Sequence, residues 1–179
     1  MKIVTAHQIA LFPWLGYVHK TSLCDEFILM DQSQFRSRAF MHRSHIEINS
    51  HENWLTWPIL KPNSTQLIKD LLFTSTDDLI QWLEAKYVTL RNAYKRYACW
   101  SQLDNFLQSL ISFLNAAEHV TPVEVCIWQH EYIRSMLSID YKILLESSLS
   151  LPDIKTSTNR LLSHIQTTSA DAYILGQNS

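Results

Sequence analysis

Glycine is almost missing from this chain. Only Gly16 and Gly176 occur in 179 residues, where an average usage of about 7% would supply roughly 12. Close backbone approach or an unusual φ is therefore expected at these two positions. Cysteine is scarce as well. Cys24, Cys99 and Cys126 are odd in number and far apart, which excludes a secreted disulfide framework and any zinc-ligand spacing. Buried, reduced thiols in a cytosolic protein are the expectation. No basic excess exists: 15 Lys and Arg face 17 Asp and Glu, a net charge of −2. That balance argues against a nucleic-acid binder and leaves room for a local basic patch. No apolar run reaches the roughly 18 residues of a membrane span. The stretch Ile3 to Ala6, ahead of polar His7 and Gln8, is too short for a signal-peptide core. The sequence shows no repeats, low-complexity segments or interdomain linkers.

What is present is globular: 46% hydrophobic residues and 18% charged ones. The length suits one domain, residues 1–179, with a sizeable core. Ile3 to Ala6 reads as a buried strand. Trp14 to Leu23 reads as a short helix, with Pro13 in its first turn. Glu26 to Met30 is a continuous apolar run that suits a buried parallel strand, completing a β-α-β unit. Residues 33–51 are polar and basic, with Ile46 and Ile48 alternating as in a hairpin strand. Trp54 to Leu60 reads as a further strand, at an edge or bulge because of Pro58.

The middle of the chain is helical. Leu79, Leu83, Tyr87, Leu90, Tyr94 and Tyr97 recur at helix spacing, with Asp77 or Asp78 as the expected cap. Leu103, Phe106, Leu107, Leu110, Ile111 and Leu114 mark a second helix, with Ser101 as cap. Thr121-Pro122-Val123-Glu124 is a capping box opening a third. These stripes read as core. Alternation then returns: Tyr141 to Leu145 as strand, Asn159 to Thr168 as helix, Ala172 to Leu175 as strand before Gly176. The expected architecture is α/β, a mostly parallel open sheet of Rossmann-like type, with a helical insertion at about 77–138. The two β-α-β units then share one sheet, and the His7 loop and the Gly176 loop share one edge. Open α/β sheets bind ligands at that edge.

Several ordered motifs carry a resemblance. His7-Gln8-Ile9 follows the first strand, then Phe12-Pro13-Trp14-Leu15-Gly16-Tyr17 and His19-Lys20. Asp31-Gln32-Ser33-Gln34-Phe35 follows the second. His42-Arg43-Ser44-His45-Ile46, Trp54-Leu55-Thr56-Trp57-Pro58-Ile59, Arg160-Leu161-Leu162 and Tyr173-Ile174-Leu175-Gly176 complete the set, with Thr156 in a Thr/Lys-rich turn. Together they resemble the WbqC-like family of bacterial proteins over nearly the whole chain. Ile9 stands where that family usually has Pro, and His42 where it has Asn. The family pattern continues into a Tyr-Leu segment where this chain stops at Ser179. The resemblance implies a part in surface-polysaccharide (O-antigen type) or natural-product biosynthesis, with a transferase-like role.

The residues add chemistry. His7 at a strand end can serve as general base or donate to a phosphate; it can equally hold the loop. Lys20, one helix length on, points back to the site or lies on the surface. Asp31 suits a hydroxyl pair as acceptor, or caps the next turn. His7, Asp31 and Lys20 form the catalytic set. Gln8, Trp14, Gly16, Tyr17, Gln34, Arg43, Arg160 and Gly176 form the substrate-binding set. Arg36, Arg38, Arg43 and Lys61 suggest an anion site, because guanidinium forks bind phosphate or carboxylate bidentately; a solvated charge run is the alternative. His42, His45, Glu47 and His51 match no zinc pattern, so no metal is expected. No Cys lies in a motif beside a base. A strand-His-helix start is similar to that of nucleotidyltransferases with a His-x-Gly-His signature, but Tyr17 follows Gly16. The expected partner is an anionic small molecule, with a nucleotide-linked one among the candidates, and no nucleic acid. No cofactor and no oligomeric state is named by the sequence. The reading is a cytosolic biosynthetic enzyme; the alternative is a non-catalytic binding or assembly module, for which an exposed Trp patch around Trp54, Trp57 and Trp82 would speak.

Overall fold

Four apolar runs pair in parallel to make the central sheet. In a computed structural model, which describes residues 1–37, 39–63, 65–152 and 156–176, they are β1 (Ile3–His7), β2 (Glu26–Leu29), β5 (Lys142–Leu145) and β6 (Ala172–Tyr173), in the order β5-β2-β1-β6. His7, Leu29 and Leu145 lie level across three of them. Side chains alternate between the faces, as the pleat requires. Phe27 and Leu29 enter the larger core, while Val4, Ala6 and Ile28 form a smaller one on the other face. Helix α1 (Leu15–Ser22) covers the first face through Tyr17, and α5 (Ser157–Thr168) covers the second through Ile165. No helix among the described residues is long and apolar enough to cross a membrane.

The two crossovers interleave instead of standing side by side. The unit β1-α1-β2 occupies the middle, and β5 and β6 take opposite edges. Connecting them therefore takes α5 across the whole sheet, on the face that α1 leaves free. The last strand is also shorter than its apolar run: Ile174 still donates its N–H to the Val4 carbonyl at 3.0 Å, but pairing ends at Tyr173.

The hairpin β3 (Arg43–Ile48) and β4 (His51–Thr56) forms a separate two-stranded sheet. Asn49 and Ser50, at φ 54° and 61°, make the two-residue left-handed turn that matches strand twist. Strand β4 thus starts at His51 and ends before Pro58, not at 54–60, because Asn49 accepted the turn and Pro58 has no N–H for a ladder. Helices α2 (Thr76–Tyr94), α3 (Trp100–Asn115) and α4 (Pro122–Leu137) follow. Ser75 caps α2 by accepting from the Asp78 N–H at 3.0 Å, so the aspartates sit inside the first turn. Helix α3 begins at Trp100 behind Cys99, which leaves Ser101 within it. The capping box at Thr121 and Glu124 is present in full. Pro13 stands one residue ahead of the α1 N-cap, Trp14.

Candidate functional site

The segment between β1 and α1 is mostly buried, and its apolar half is spent on packing. Ile9, Ala10 and Leu11 are core residues. Phe12 adopts φ 61°, costly for a bulky side chain. Its N–H donates to Gln129 Oε1 at 2.9 Å, and Ser44 Oγ reaches the Leu11 and Phe12 carbonyls at 3.0 and 2.8 Å. Elements from α4 and β3 therefore hold the loop that follows His7.

Around His7 the carboxyl edge of the sheet opens into a cleft of two chambers. The first, about 550 Å³, lies between His7, Lys20, Ser33, Arg36 and the start of α5 at Thr156, Ser157 and Arg160. The second, about 580 Å³, lies under Trp14, Gly16 and Tyr17 and runs to Leu175 and Gly176. His7, Lys20 and Leu175 line both. No carboxylate lines either chamber among the described residues. Each chamber also receives a helix start, α5 in one and α1 in the other, and neither helix has an acidic residue in its first turn. First-turn amides lack intrahelical partners and favour anions.

The charged groups are held in place. His7 Nδ1 lies 3.1 Å from the Gln8 carbonyl, which only accepts, so Nδ1 carries the proton and Nε2 keeps its lone pair. Burial holds the His7 pKa below 6.5; the Gln8 bond opposes this and the Lys20 charge adds to it. Burial thus favours the neutral imidazole, with the Nε2 lone pair available to accept a proton. Lys20 Nζ donates to the Ala6 carbonyl at 3.0 Å, and burial lowers its pKa as well. Arg160 is fixed by Glu146: Nε donates to Oε1 at 2.5 Å and Nη2 to Oε2, while His164 Nε2 lies 2.9 Å from the same Oε1. Burial pushes the Glu146 carboxyl up, but the His164 and Arg160 hydrogen bonds outweigh it and leave the pKa below 4.5. Ser33 Oγ is buried without a partner among the described residues, beside the first chamber.

The cleft thus gathers His7, Gln8, Lys20, Trp14, Gly16, Tyr17, Arg160 and Gly176. Asp31, Gln34 and Arg43 do not line it. Asp31 is buried after β2, and both its oxygens accept from Ser147, N–H at 2.8 Å and Oγ–H at 2.5 Å. Its carboxylate ties the end of β2 to the end of β5. Gln34 is exposed and bridges to Leu67. Arg43 sits on β3 with its guanidinium 4.1 Å over the Trp54 ring. Of the other cations, Arg36 lines the first chamber, Lys61 is exposed elsewhere, and Arg38 lies outside the described residues. Among the described residues, no group of three or more His, Cys, Asp or Glu is placed to hold a metal ion. Neither glycine has a positive φ. Gly16 instead accommodates the Trp14 indole, whose Nε1 lies 3.2 Å from where a Cβ would stand. The sequence reading missed Glu146 and His164. A Glu directly after an apolar strand, with Arg160 and His164 one helical turn apart, was the available signal.

The chain is thus a mixed α/β protein whose parallel four-stranded sheet carries at its carboxyl edge a cleft lined by Lys20, Arg36 and Arg160 and, among the described residues, by no carboxylate. This chain belongs to the WbqC-like protein family, which it matches over residues 8–179. It is also 30% identical over 108 residues to an uncharacterized protein of Mycobacterium tuberculosis, Rv1507c. That match takes in 60% of this chain and 45% of the relative, so the chain spans less than half the relative's length. No solved structure matches it.

Proposed function

We propose that the cleft binds an anionic small molecule and that His7 is the general base of a group transfer at the junction of its chambers. The observation that carries this reading is the convergence of Lys20, Arg36, Arg160 and the first turn of α5 on one chamber beside His7 that no carboxylate lines among the described residues. In this reading the whole chain is one Rossmann-like domain with a helical insertion at about 77–138. The ligand sits where α1 and α5 leave opposite faces of the sheet, as at a topological switch point. The phosphate or carboxylate of the donor takes the α5 chamber, and the acceptor takes the Trp14 chamber. His7 Nε2 accepts the proton of the acceptor hydroxyl or amine as it attacks the donor. The bond to the leaving group breaks, and Arg36 and Arg160 neutralise the departing anion. Asp31 acts at a distance, by fixing the Ser147 turn. A nucleotide-linked sugar or an activated acyl compound fits this chemistry. The family resemblance directs it to envelope-glycan or related biosynthesis in the cytosol.

A second reading has its own observation. Trp14, Phe40 and Trp54 are 44%, 48% and 45% exposed and stand in sequence, with ring centres 5.8 and 5.6 Å apart. Trp57 is buried, so this exposed strip shares only Trp54 with the patch expected around Trp54, Trp57 and Trp82. It favours a binding module. Titration of inorganic phosphate, nucleoside diphosphates and nucleotide sugars decides between the readings. Wild type is expected to bind at least one, and His7→Asn to keep affinity while losing turnover. Binding without turnover in the wild type favours the module. Failure to bind any anion overturns both uses of the cleft.

A further inference from the structure

We propose that Tyr17, His130 and Tyr141 form a buried relay that positions His7 from the core by setting the acceptor its Nδ1–H must use. This rests on the reading of His7 as base, and makes the three positioning residues for it.

The geometry is a continuous chain of polar contacts through an otherwise apolar core. Tyr141 Oη lies 2.6 Å from His130 Nδ1. His130 Nε2 lies 3.1 Å from Tyr17 Oη. Tyr17 Oη lies 3.3 Å from the Gln8 carbonyl, the same oxygen that meets His7 Nδ1 at 3.1 Å. Tyr17, His130 and Tyr141 are all at most 3% exposed. Proton counting gives the chain a direction. The Gln8 carbonyl has no proton to give, so His7 Nδ1–H and Tyr17 O–H both donate to it. Tyr17 Oη is then free to accept, and a neutral His130 supplies the Nε2–H. His130 Nδ1 is left to accept from Tyr141 O–H. All four contacts become hydrogen bonds. With the His130 proton on Nδ1, Tyr17 must donate to Nε2 and its contact with Gln8 has no hydrogen. The first arrangement makes four hydrogen bonds along the relay and the second three, which favours the first.

His130 stays neutral here. Burial lowers its pKa to about 3, with the Arg134 and His7 charges adding to the effect. Phe27 stacks on its ring, with centres 4.8 Å apart and planes at 29°, which packs one face of the imidazole. Tyr17 also packs its ring edgewise on His7 at 4.9 Å. One residue thus fixes both the orientation of the His7 ring and the acceptor of its proton. The charged and titratable groups around His7 are Lys20 on α1, Arg36, Arg160 and Tyr173 across the first chamber, His19 beside the second, and Tyr17 and His130 toward the core.

Nitrogen-15 NMR of His7 in the ligand-free protein tests the relay. In the wild type, above the titration of His7, Nδ1 should carry the proton and Nε2 should give the unprotonated signal. Tyr17→Phe keeps the ring edge and removes the hydroxyl; loss of the Nδ1–H majority to a mixture of tautomers is expected. Tyr141→Phe, at the far end, should move the population in the same direction by less. A wild-type His7 protonated at Nε2 overturns the proposal without any variant. So does Tyr17→Phe with native melting and an unchanged His7 tautomer. If Tyr17→Phe does not fold, an unchanged tautomer in Tyr141→Phe overturns it. Because no ligand is involved, anion titrations can fail while this result stands, and the two readings are separable.

Discussion

Two regions of this molecule are rich in cations, and only one of them makes a cleft. Residues 36–51 hold Arg36, Arg38, Arg43, His42, His45 and His51 within sixteen positions. The carboxyl edge of the sheet collects His7, Lys20, Arg36 and Arg160 from four separate segments. In the hairpin, neighbours absorb the charges one by one. Arg43 lies over Trp54, and His45 stands 3.6 Å from the same ring and 3.9 Å from Glu52. At the sheet edge Lys20, Arg36 and Arg160 line a common space that no carboxylate lines among the described residues, and Glu146, which holds Arg160, stays outside that lining. Charge density along a chain builds a solvated surface; convergence of strand ends builds a site.

The comparison breaks first at Glu146. It is 1% exposed and holds both Arg160 and His164. Glu146→Ala should cost about 3–5 kcal/mol of stability, the usual result of removing one partner of a buried ion pair. Urea unfolding measures it, and a loss under about 1 kcal/mol would show that Arg160 is held by solvent instead. In contrast, Glu52→Ala in the hairpin should change stability by less than about 0.5 kcal/mol.

Acid comes next. The folded-state pKa of His130, about 3, lies below the unfolded value near 6.5. Above pH 6.5 both states leave it neutral. As pH falls, the unfolded chain takes up the proton and the folded chain does not, so stability drops by up to about 1.4 kcal/mol per pH unit between 6.5 and 3. Glu146, lowered from 4.5, adds a loss of the same sign as pH falls through its folded pKa. Denaturant melts from pH 7 to 4 test this. His130→Gln should flatten the upper part of the slope; an unchanged slope assigns it elsewhere.

The binding contrast is smaller. Arg36→Ala removes a cation from the α5 chamber and should weaken anion binding by about 1.5–3 kcal/mol, the range for a charge-assisted hydrogen bond. Arg43→Ala removes a guanidinium from Trp54 and should leave anion affinity unchanged, costing about 0.5–1 kcal/mol of stability. Calorimetric titration of both variants gives the answer. Equal losses of affinity would mean that the hairpin belongs to the site.

Gly16 gives the smallest expected effect and separates packing from function. Alanine is preferred in a helix by about 0.5–1 kcal/mol, and here its methyl would stand 3.2–3.3 Å from the Trp14 indole. That ring is 44% exposed and can move. Melting of Gly16→Ala should stay within about 1 kcal/mol of wild type, while affinity in the Trp14 chamber falls as the indole shifts. A lower melting point with affinity retained would make Gly16 a packing residue alone.

The local pieces were legible along the chain. Continuous apolar runs gave β1, β2 and β5, because strands covered on both faces alternate with nothing polar. Thr121, Pro122 and Glu124 gave the start of α4, because a capping box is satisfied within four residues. His7 and Lys20 were visible beside the first strand. The rest came from long-range packing. Whether Asp31 faces a ligand or Ser147 depends on which strand lies beside β2, and that strand begins more than a hundred residues later. Whether Arg43 or Arg160 joins His7 depends on α5 crossing the sheet to put its first turn at the carboxyl edge. The relay from Tyr141 to Gln8 exists only because α4 packs against α1. Local signals are short-range because capping, turns and periodicity act within a few residues; a site requires groups whose separation in sequence says nothing about their separation in space.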